Sequence, residues 1–276
     1  MAQITAAEVS KLRKATGAGM MDCKKALEEA GGDYDKAVEI IRKKGQAIAN
    51  KRSDREASEG AVLAGVTADN KKGALIVLNC ETDFVAKNED FVELAKSILD
   101  VALAKLPADL EALKNEKLGD KTIDEAVVER MGVTGEKLEL SAYEKIEAED
   151  AIAYIHPGNK LATVVGFNKK VSDVQVAKDV AMQVAAMNPV SIDKDDVPAD
   201  VIEKEKEIGR EQARQEGKAE NLLDRIAEGK LNKFFKESTL LNQDFIKESK
   251  QTVKQYLQEA DKDLKVTAFK RYSLSD

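Results

Sequence analysis

At 276 residues, 43% of them apolar, the chain is long enough for about two domains with real hydrophobic cores. Forty-four basic and fifty-one acidic residues leave a net charge of −7 with the signs interspersed, and only 4% of residues are aromatic, which argues against a broad phosphate-binding face or a base-stacking platform and so against direct nucleic-acid binding. No apolar run approaches the roughly 18 residues of a membrane span, and the N-terminus carries no charged-then-apolar signal, so the expected setting is cytoplasmic and away from membranes.

Residues 1–54 read as a small three-helix module. Thr5 and Glu8 form a capping box ahead of Val9 and Leu12, and Thr16 Gly17 Ala18 Gly19 breaks that first helix. A second helix starts at about Asp22, carries Cys23, Ala26 and Leu27 inward, and stops at Gly31 Gly32. Asp33 caps a third, with Ala37, Val38, Ile40 and Ile41 facing the core. The charged stretch Lys51 to Glu56 then reads as a linker. Adjacent Met20 and Met21 after the glycine turn are either core residues or an adaptable binding surface. Cys23 and Cys80 lie far apart with no Cys-x-x-Cys, and read as buried, reduced thiols.

From residue 55 to 148 the pattern changes. Gly60 to Val66, a turn, the apolar run Gly73 to Leu78 and a helix with Phe91, Leu94, Ala95, Ile98, Leu99 and Ala102 on one face make a strand-turn-strand-helix unit. Leu110 to Leu118 and Ile123 to Met131 are expected as short helices, the second capped by Thr122 and ended by Gly132, and Lys137 to Ile146 as a one-sided strand. The same unit returns from Glu149, through the turn His156 Pro157 Gly158 Asn159, to Leu161–Phe167 and a helix with Val176, Val180 and Val184. Aligning Ala95 Lys96 with Ala177 Lys178 leaves the first copy about six residues longer between strand and helix. Those extra residues include Thr82 to Lys87. On general grounds Asp83 could cap a helix turn and Phe84 could fill the core below, but a segment that one copy lacks is poorly explained as scaffolding.

Residues 189–235 read as an insertion. A charged arm from Ala199 to Gln215, a turn at Glu216 Gly217 Lys218 and a return arm with Leu222, Leu223, Ile226, Leu231, Phe234 and Phe235 predict an antiparallel helical hairpin, whose sparse apolar stripe either only seals the arms together or also binds outside. Residues 236–276 return to the second unit (149–188), with a helix capped by Ser249 and a last strand over Leu264 to Tyr272. The expected class is therefore α+β: a three-helix module, two repeated subdomains with antiparallel sheets, and a hairpin insertion.

Enzyme chemistry is hard to place on this chain. It has a single histidine, His156, no phosphate-binding Gly-rich loop, no His-Glu-x-x-His and no cysteine pair at ligand spacing, so no catalytic residue, metal site or cofactor is nominated. A binding protein is the better expectation.

Two long motifs carry a resemblance. Thr16 Gly17 Ala18 Gly19 Met20 Met21 Asp22 Cys23 Lys24 Lys25 Ala26 Leu27 and Asn79 Cys80 Glu81 Thr82 Asp83 Phe84 Val85 Ala86 Lys87 resemble the family of bacterial translation elongation factor Ts, and the likeness continues through Ala181–Ala186 and Glu228–Phe235. The resemblance implies a guanine nucleotide exchange factor that binds elongation factor Tu in its GDP-bound and nucleotide-free forms, and a coiled-coil character for residues 189–235. It implies that Asp83 and Phe84 enter the partner's G domain near its magnesium site, with Phe84 as a wedge and with Thr82 and Val85 holding the loop's shape. Met20, Met21 and Lys24 would grip another face of that domain, and His156 and Gly158 a different partner domain. Some members continue into a C-terminal helix that also touches the partner, and this sequence ends at Asp276 without one. A rival reading rests on Gly32 Asp33 Tyr34 Asp35 Lys36 Ala37, which resembles a ubiquitin-associated domain and would suit an adaptor. A metabolic enzyme is a third, without a ligand pocket announced by the sequence.

Overall fold

The computed structural model describes residues 4–276. Three helices come first: α1 (Ala6–Thr16), α2 (Met20–Glu29) and α3 (Tyr34–Lys51). The capping box at Thr5 and Glu8 starts α1, and Gly17 ends it in the left-handed region at φ 69°. Helix α2 opens at Met20, two residues before the expected start, because Gly19 already provides its first carbonyl acceptor, bonded by the Cys23 amide at 2.9 Å. Leu12, Cys23, Leu27, Ala37 and Ile41 form a core of their own.

Two antiparallel three-stranded sheets follow. The first orders β1 (Glu59–Val66), β2 (Lys72–Cys80) and, after an excursion, β5 (Leu138–Glu147); in the second, β7 (Leu161–Phe167) lies between β6 (Asp150–Ile155) and β10 (Val266–Ser273). Each sheet has its second strand in the middle and its last strand beside it, so the internal repeat is one of topology as well as of sequence. The repeat extends further than periodicity suggested. In the first copy, α5 (Glu89–Lys105) and α6 (Leu110–Asn115) lead into a two-residue hairpin, β3 (Lys117–Leu118) and β4 (Lys121–Thr122), and then α7 (Ile123–Thr134). In the second, α8 (Val174–Met187) is followed by the paired helices α9 (Ala199–Gln215) and α10 (Leu223–Ser238). There too a small hairpin, β8 (Asp244–Phe245) and β9 (Glu248–Thr252), precedes α11 (Val253–Ala260). Both α7 and α11 start with a Thr capping box, Thr122 with Glu125 and Thr252 with Gln255, so Thr252 and not Ser249 caps the last helix.

The molecule's two sheets meet face to face. Val62, Leu75 and Val77 of the first pack on Ala162 and Val164 of the second, and the approach at Gly73 is so close that a Cβ there would lie 2.4 Å from Val164 Cγ1. On the opposite side of β2, Ile76 and Leu78 pack under Phe91 and Ile98 of α5. Strand β2 is thus covered on both faces, which is why it reads as an unbroken apolar run.

Three local expectations are corrected. Helix α6 stops at Asn115, where the β3–β4 hairpin takes over. Strand β5 carries a bulge between its partners Leu140 and Ala142, which turns Tyr143 toward the helices and Ala142 toward the sheet interface, so its one-sided alternation holds only to Leu140. Helix α7 runs through Gly132 to Thr134 and ends at Gly135, φ 72°. Gly132 serves a different purpose: it lies against Gly45 of α3, and a Cβ on Gly132 would stand 2.9 Å from the Gly45 Cα. The first three helices are therefore held to the first sheet's helical layer through α3 and α7. No helix among the described residues is long and apolar enough to cross a membrane.

Candidate functional site

The eight residues from Glu81 to Asn88 contain two helix caps in succession. Thr82 caps a single turn, α4 (Asp83–Ala86), its hydroxyl accepting from the Val85 amide at 3.4 Å; Asn88 caps α5, accepting from the amides of Asp90 and Phe91. The second copy spans residues 168–173 at this place without an extra turn, so the joint itself is eight residues against six, and the rest of the expected excess lies in α5, which begins earlier relative to Ala95 than α8 does relative to Ala177. Because the turn is fixed at both ends, its side chains have fixed directions. Val85 and Ala86 pack onto the first core, while Phe84 points out and is 83% exposed. Phe84 therefore does not fill the core. An aromatic ring left in water on so short and so constrained a turn is available for contact with another molecule.

Asp83 sits beside it, with its carboxylate 2.7 Å from Lys87 Nζ. The Lys87 hydrogen bond holds this carboxyl below the usual range, with a smaller pull from the charges of Lys87 and Lys160. Lys160 belongs to the β6–β7 turn and bridges Glu59 at 2.8 Å, while the carbonyl of Asn159 accepts from the Val62 amide at 2.7 Å. Glu59 in turn pairs with Cys80 in the sheet register. The structure thus sets the turn that carries His156 and Gly158 beside the end of β2 that carries the loop. The exposed His156 ring has its Nδ1 2.9 Å from the Tyr154 hydroxyl, and Gly158 takes φ 92°, where a side chain would be strained although space is open.

Met20 and Met21 form a second exposed patch, at 57% and 63%, so neither is a core residue. Lys24, one turn on, is half exposed and lies 3.8 Å from Glu28. This patch connects to the loop through structure: the Gly17 turn abuts Arg130 of α7, and Arg130 reaches Asp90 in the first turn of α5 at 3.3 Å. A cavity of 570 Å³ at this seam is lined by Arg13, Lys14, Asp90, Leu94, Arg130 and others, but by none of Thr82, Asp83, Phe84 or Val85. The loop is a protrusion beside a cleft, suited to entering another molecule rather than enclosing a small one.

Residues that sequence reasoning missed hold the loop from behind. Arg52 and Arg55, in the stretch read as a linker, bond both oxygens of Glu81 at 2.7–3.1 Å, and the Lys137 amide donates to the same carboxylate at 2.7 Å. Lys137 Nζ also donates to the carbonyls of Ser53 and Arg55. Glu136 accepts from the Thr82 amide at 3.0 Å and its hydroxyl at 2.7 Å. These partners are 26–56 residues from the loop in sequence, and no local spacing could have paired them.

Burial works against the charge of Glu81, yet the Lys137 amide and the Arg52 and Arg55 guanidiniums draw its pKa down to about 2, from an ordinary 4.5. A carboxyl with a lower pKa in the folded state stabilises the fold fully above its unfolded value, and that contribution drains away as pH falls from about 4.5 toward about 2. Glu81→Gln is accordingly expected to lose roughly 2–3 kcal/mol at pH 7 relative to wild type. The gap should narrow steadily in urea unfolding below pH 4.5; a gap independent of pH would show that charge is not what Glu81 contributes.

Residues 81–276 match the family model described as elongation factor TS. Relatives named elongation factor Ts are similar over nearly the whole chain. The one from Porphyromonas gingivalis is 54% identical over 275 residues, covering 99% of this chain and 98% of the relative. That from Amoebophilus asiaticus is 55% identical over 270 residues, with 97% and 98% covered, and that from Christiangramia forsetii 52% over 275, with 99% and 100%.

Proposed function

Because the chain belongs to the elongation factor Ts family, we propose that it is the guanine nucleotide exchange factor for elongation factor Tu, working in the cytoplasm during translation elongation and performing no covalent chemistry of its own. A GTPase holds GDP with a phosphate-cradling loop, a helix N-terminus and a magnesium ion. A protein that binds the nucleotide-free form more tightly than the GDP form must weaken GDP by the same factor, because linkage is reciprocal. Exchange then needs only a surface that fits the emptied G domain.

The observation that carries this reading is Phe84, which is 83% exposed on a turn locked by Thr82 and Asn88. On this proposal the Phe84 ring inserts as a wedge and forces a discrete repacking of the partner's core near the magnesium site. Asp83, freed from Lys87, disturbs the polar network that orders the magnesium's water ligands, and Thr82 and Val85 keep the turn in shape. Met20, Met21 and Lys24, on a module of ubiquitin-associated type formed by residues 1–54, grip another face of the G domain. His156 and Gly158 meet a second domain of the partner. The α9–α10 pair supports a coiled-coil reading of residues 189–235: Gly209 packs on Ala227, and Arg210 bonds Asp224 across the arms.

The test is release of a fluorescent GDP analogue from purified elongation factor Tu of the same organism. Wild-type protein is expected to accelerate release, and Asp83→Ala to accelerate it less. A folded wild-type protein that leaves the release rate unchanged would sink the proposal.

A further inference from the structure

The two residues immediately before Asp83 are held by the ends of two helices that pack on each other. Helix α3 ends at Lys51, and the next residue, Arg52, bonds both oxygens of Glu81 at 2.7 and 2.8 Å. Helix α7 ends at Thr134; after Gly135, Glu136 takes the amide and hydroxyl of Thr82, and the Lys137 amide takes Glu81. Thr82 is thus gripped twice by one carboxylate, a geometry that fixes direction as well as distance. Along their length α3 and α7 are in backbone contact at Gly45 and Gly132, so their ends keep a set spacing. Neither Glu81 nor Glu136 lies on the protruding face with Phe84: the Glu81 side chain is 13% exposed and both carboxylates are directed at the base of the turn.

We infer that Glu81 and Glu136 are positioning residues, which aim Phe84 by tying the base of its turn to the ends of α3 and α7. The inference rests on the exchange reading of the same loop. Its physical content is that a ring on a four-residue turn has no packing of its own to direct it. Its aim is inherited from Thr82, and Thr82 is aimed by Glu136. Misplacement of a working group by about 1 Å can cost up to two orders of magnitude in rate, whereas a surface for initial docking is far less sensitive.

Glu136→Ala separates this from a merely structural role. With elongation factor Tu and the fluorescent GDP analogue, the maximal release rate is expected to fall about fivefold or more, while the concentration for half-maximal effect moves less than about twofold, since the Met20 and Met21 patch is untouched. Glu136→Gln keeps one acceptor oxygen for Thr82 and should recover part of the rate. In a Phe84→Ala background, Glu136→Ala should cost little more, because the group it aims is gone. Equal losses in both backgrounds would overturn the inference, as would an unchanged maximal rate. Amide hydrogen exchange on the free protein decides the same point without the partner: residues 83–88 should exchange faster in Glu136→Ala than in wild type, and unchanged protection there would also overturn it. If wild type fails to accelerate release, the exchange reading falls on its own, and the amide measurement still reports whether the grip exists.

Discussion

Phe84→Ala is expected to reduce stimulated GDP release by about tenfold or more, and to do so without weakening the fold. Two magnitudes decide this. Truncating an aromatic anchor at the centre of an interface typically costs about 2 kcal/mol or more, and each 1.4 kcal/mol is a factor of about ten. By contrast, an 83% exposed side chain has little left to lose in the free protein, so urea unfolding should move by no more than about 0.5 kcal/mol. The neighbouring Asp83→Ala breaks only an exposed pair with Lys87, worth little in the free protein, and its effect on exchange should be smaller because water and other partner groups can substitute for one carboxylate. A Phe84→Ala protein that matches wild type in release would leave exchange in place and remove the wedge from the mechanism. A large loss of stability would mean instead that the ring is packed in solution.

How far the sequence announced this site depends on the range of each interaction. The loop was legible because its signals are local: an apolar run ending at Cys80, a helix beginning near Glu89, and a longer path from the strand to the aligned Ala95 Lys96 pair than the second copy has to Ala177 Lys178. The doubly covered β2 was legible for the same reason, since burial on both faces writes itself into consecutive residues. Nothing local marks Glu136 as the partner of Thr82, because that pairing exists only after Leu138 has come to lie opposite Cys80 in the sheet. Likewise Arg52 and Arg55 look like any charged linker until Glu81 is placed between them. Glycine was ambiguous in a different way. A glycine near the end of a helical pattern reads as a stop, and Gly132 was read so; only the presence of α3 across the helix shows that Gly132 is there for close approach, while Gly135 makes the left-handed turn. The equivalence of the β3–β4 and β8–β9 hairpins was out of reach because β3, β4 and β8 are two residues each and β9 is polar throughout, so none carries an alternation, and the α9–α10 insertion separates the second from the helix it follows.

That crossing sets up the other large effect. Gly132→Leu should destabilise the protein by about 2 kcal/mol, although leucine is the better helix former by nearly 1 kcal/mol. The sign follows from what the new side chain meets. A Cβ at Gly132 stands 2.9 Å from the Gly45 Cα and 3.3 Å from its nitrogen, and a Cβ at Gly45 would stand 2.8 Å from the Val128 carbonyl oxygen. These are backbone atoms and cannot rotate away, so α3 and α7 must separate. Gly229, inside α10, supplies the control: a Cβ there meets nothing within 4 Å, and Gly229→Ala should raise stability by about 0.5–1 kcal/mol through helix propensity alone. Separation of α3 from α7 has a functional cost as well. On the proposed exchange reading, the Met20 and Met21 patch and Phe84 would bind as a pre-arranged pair only while the first three helices are fixed on the first sheet's helical layer, and a loose pair would spend part of its contact energy on ordering. Gly132→Leu is therefore expected to raise the concentration needed for half-maximal GDP release by about tenfold and, because the helix ends that hold Glu81 and Thr82 separate with it, to lower the maximal rate as well, whereas Glu136→Ala lowers the maximal rate alone. Titration of release against each variant distinguishes the two, and an unchanged half-maximal concentration in a destabilised Gly132→Leu protein would show that the two patches act on the partner independently.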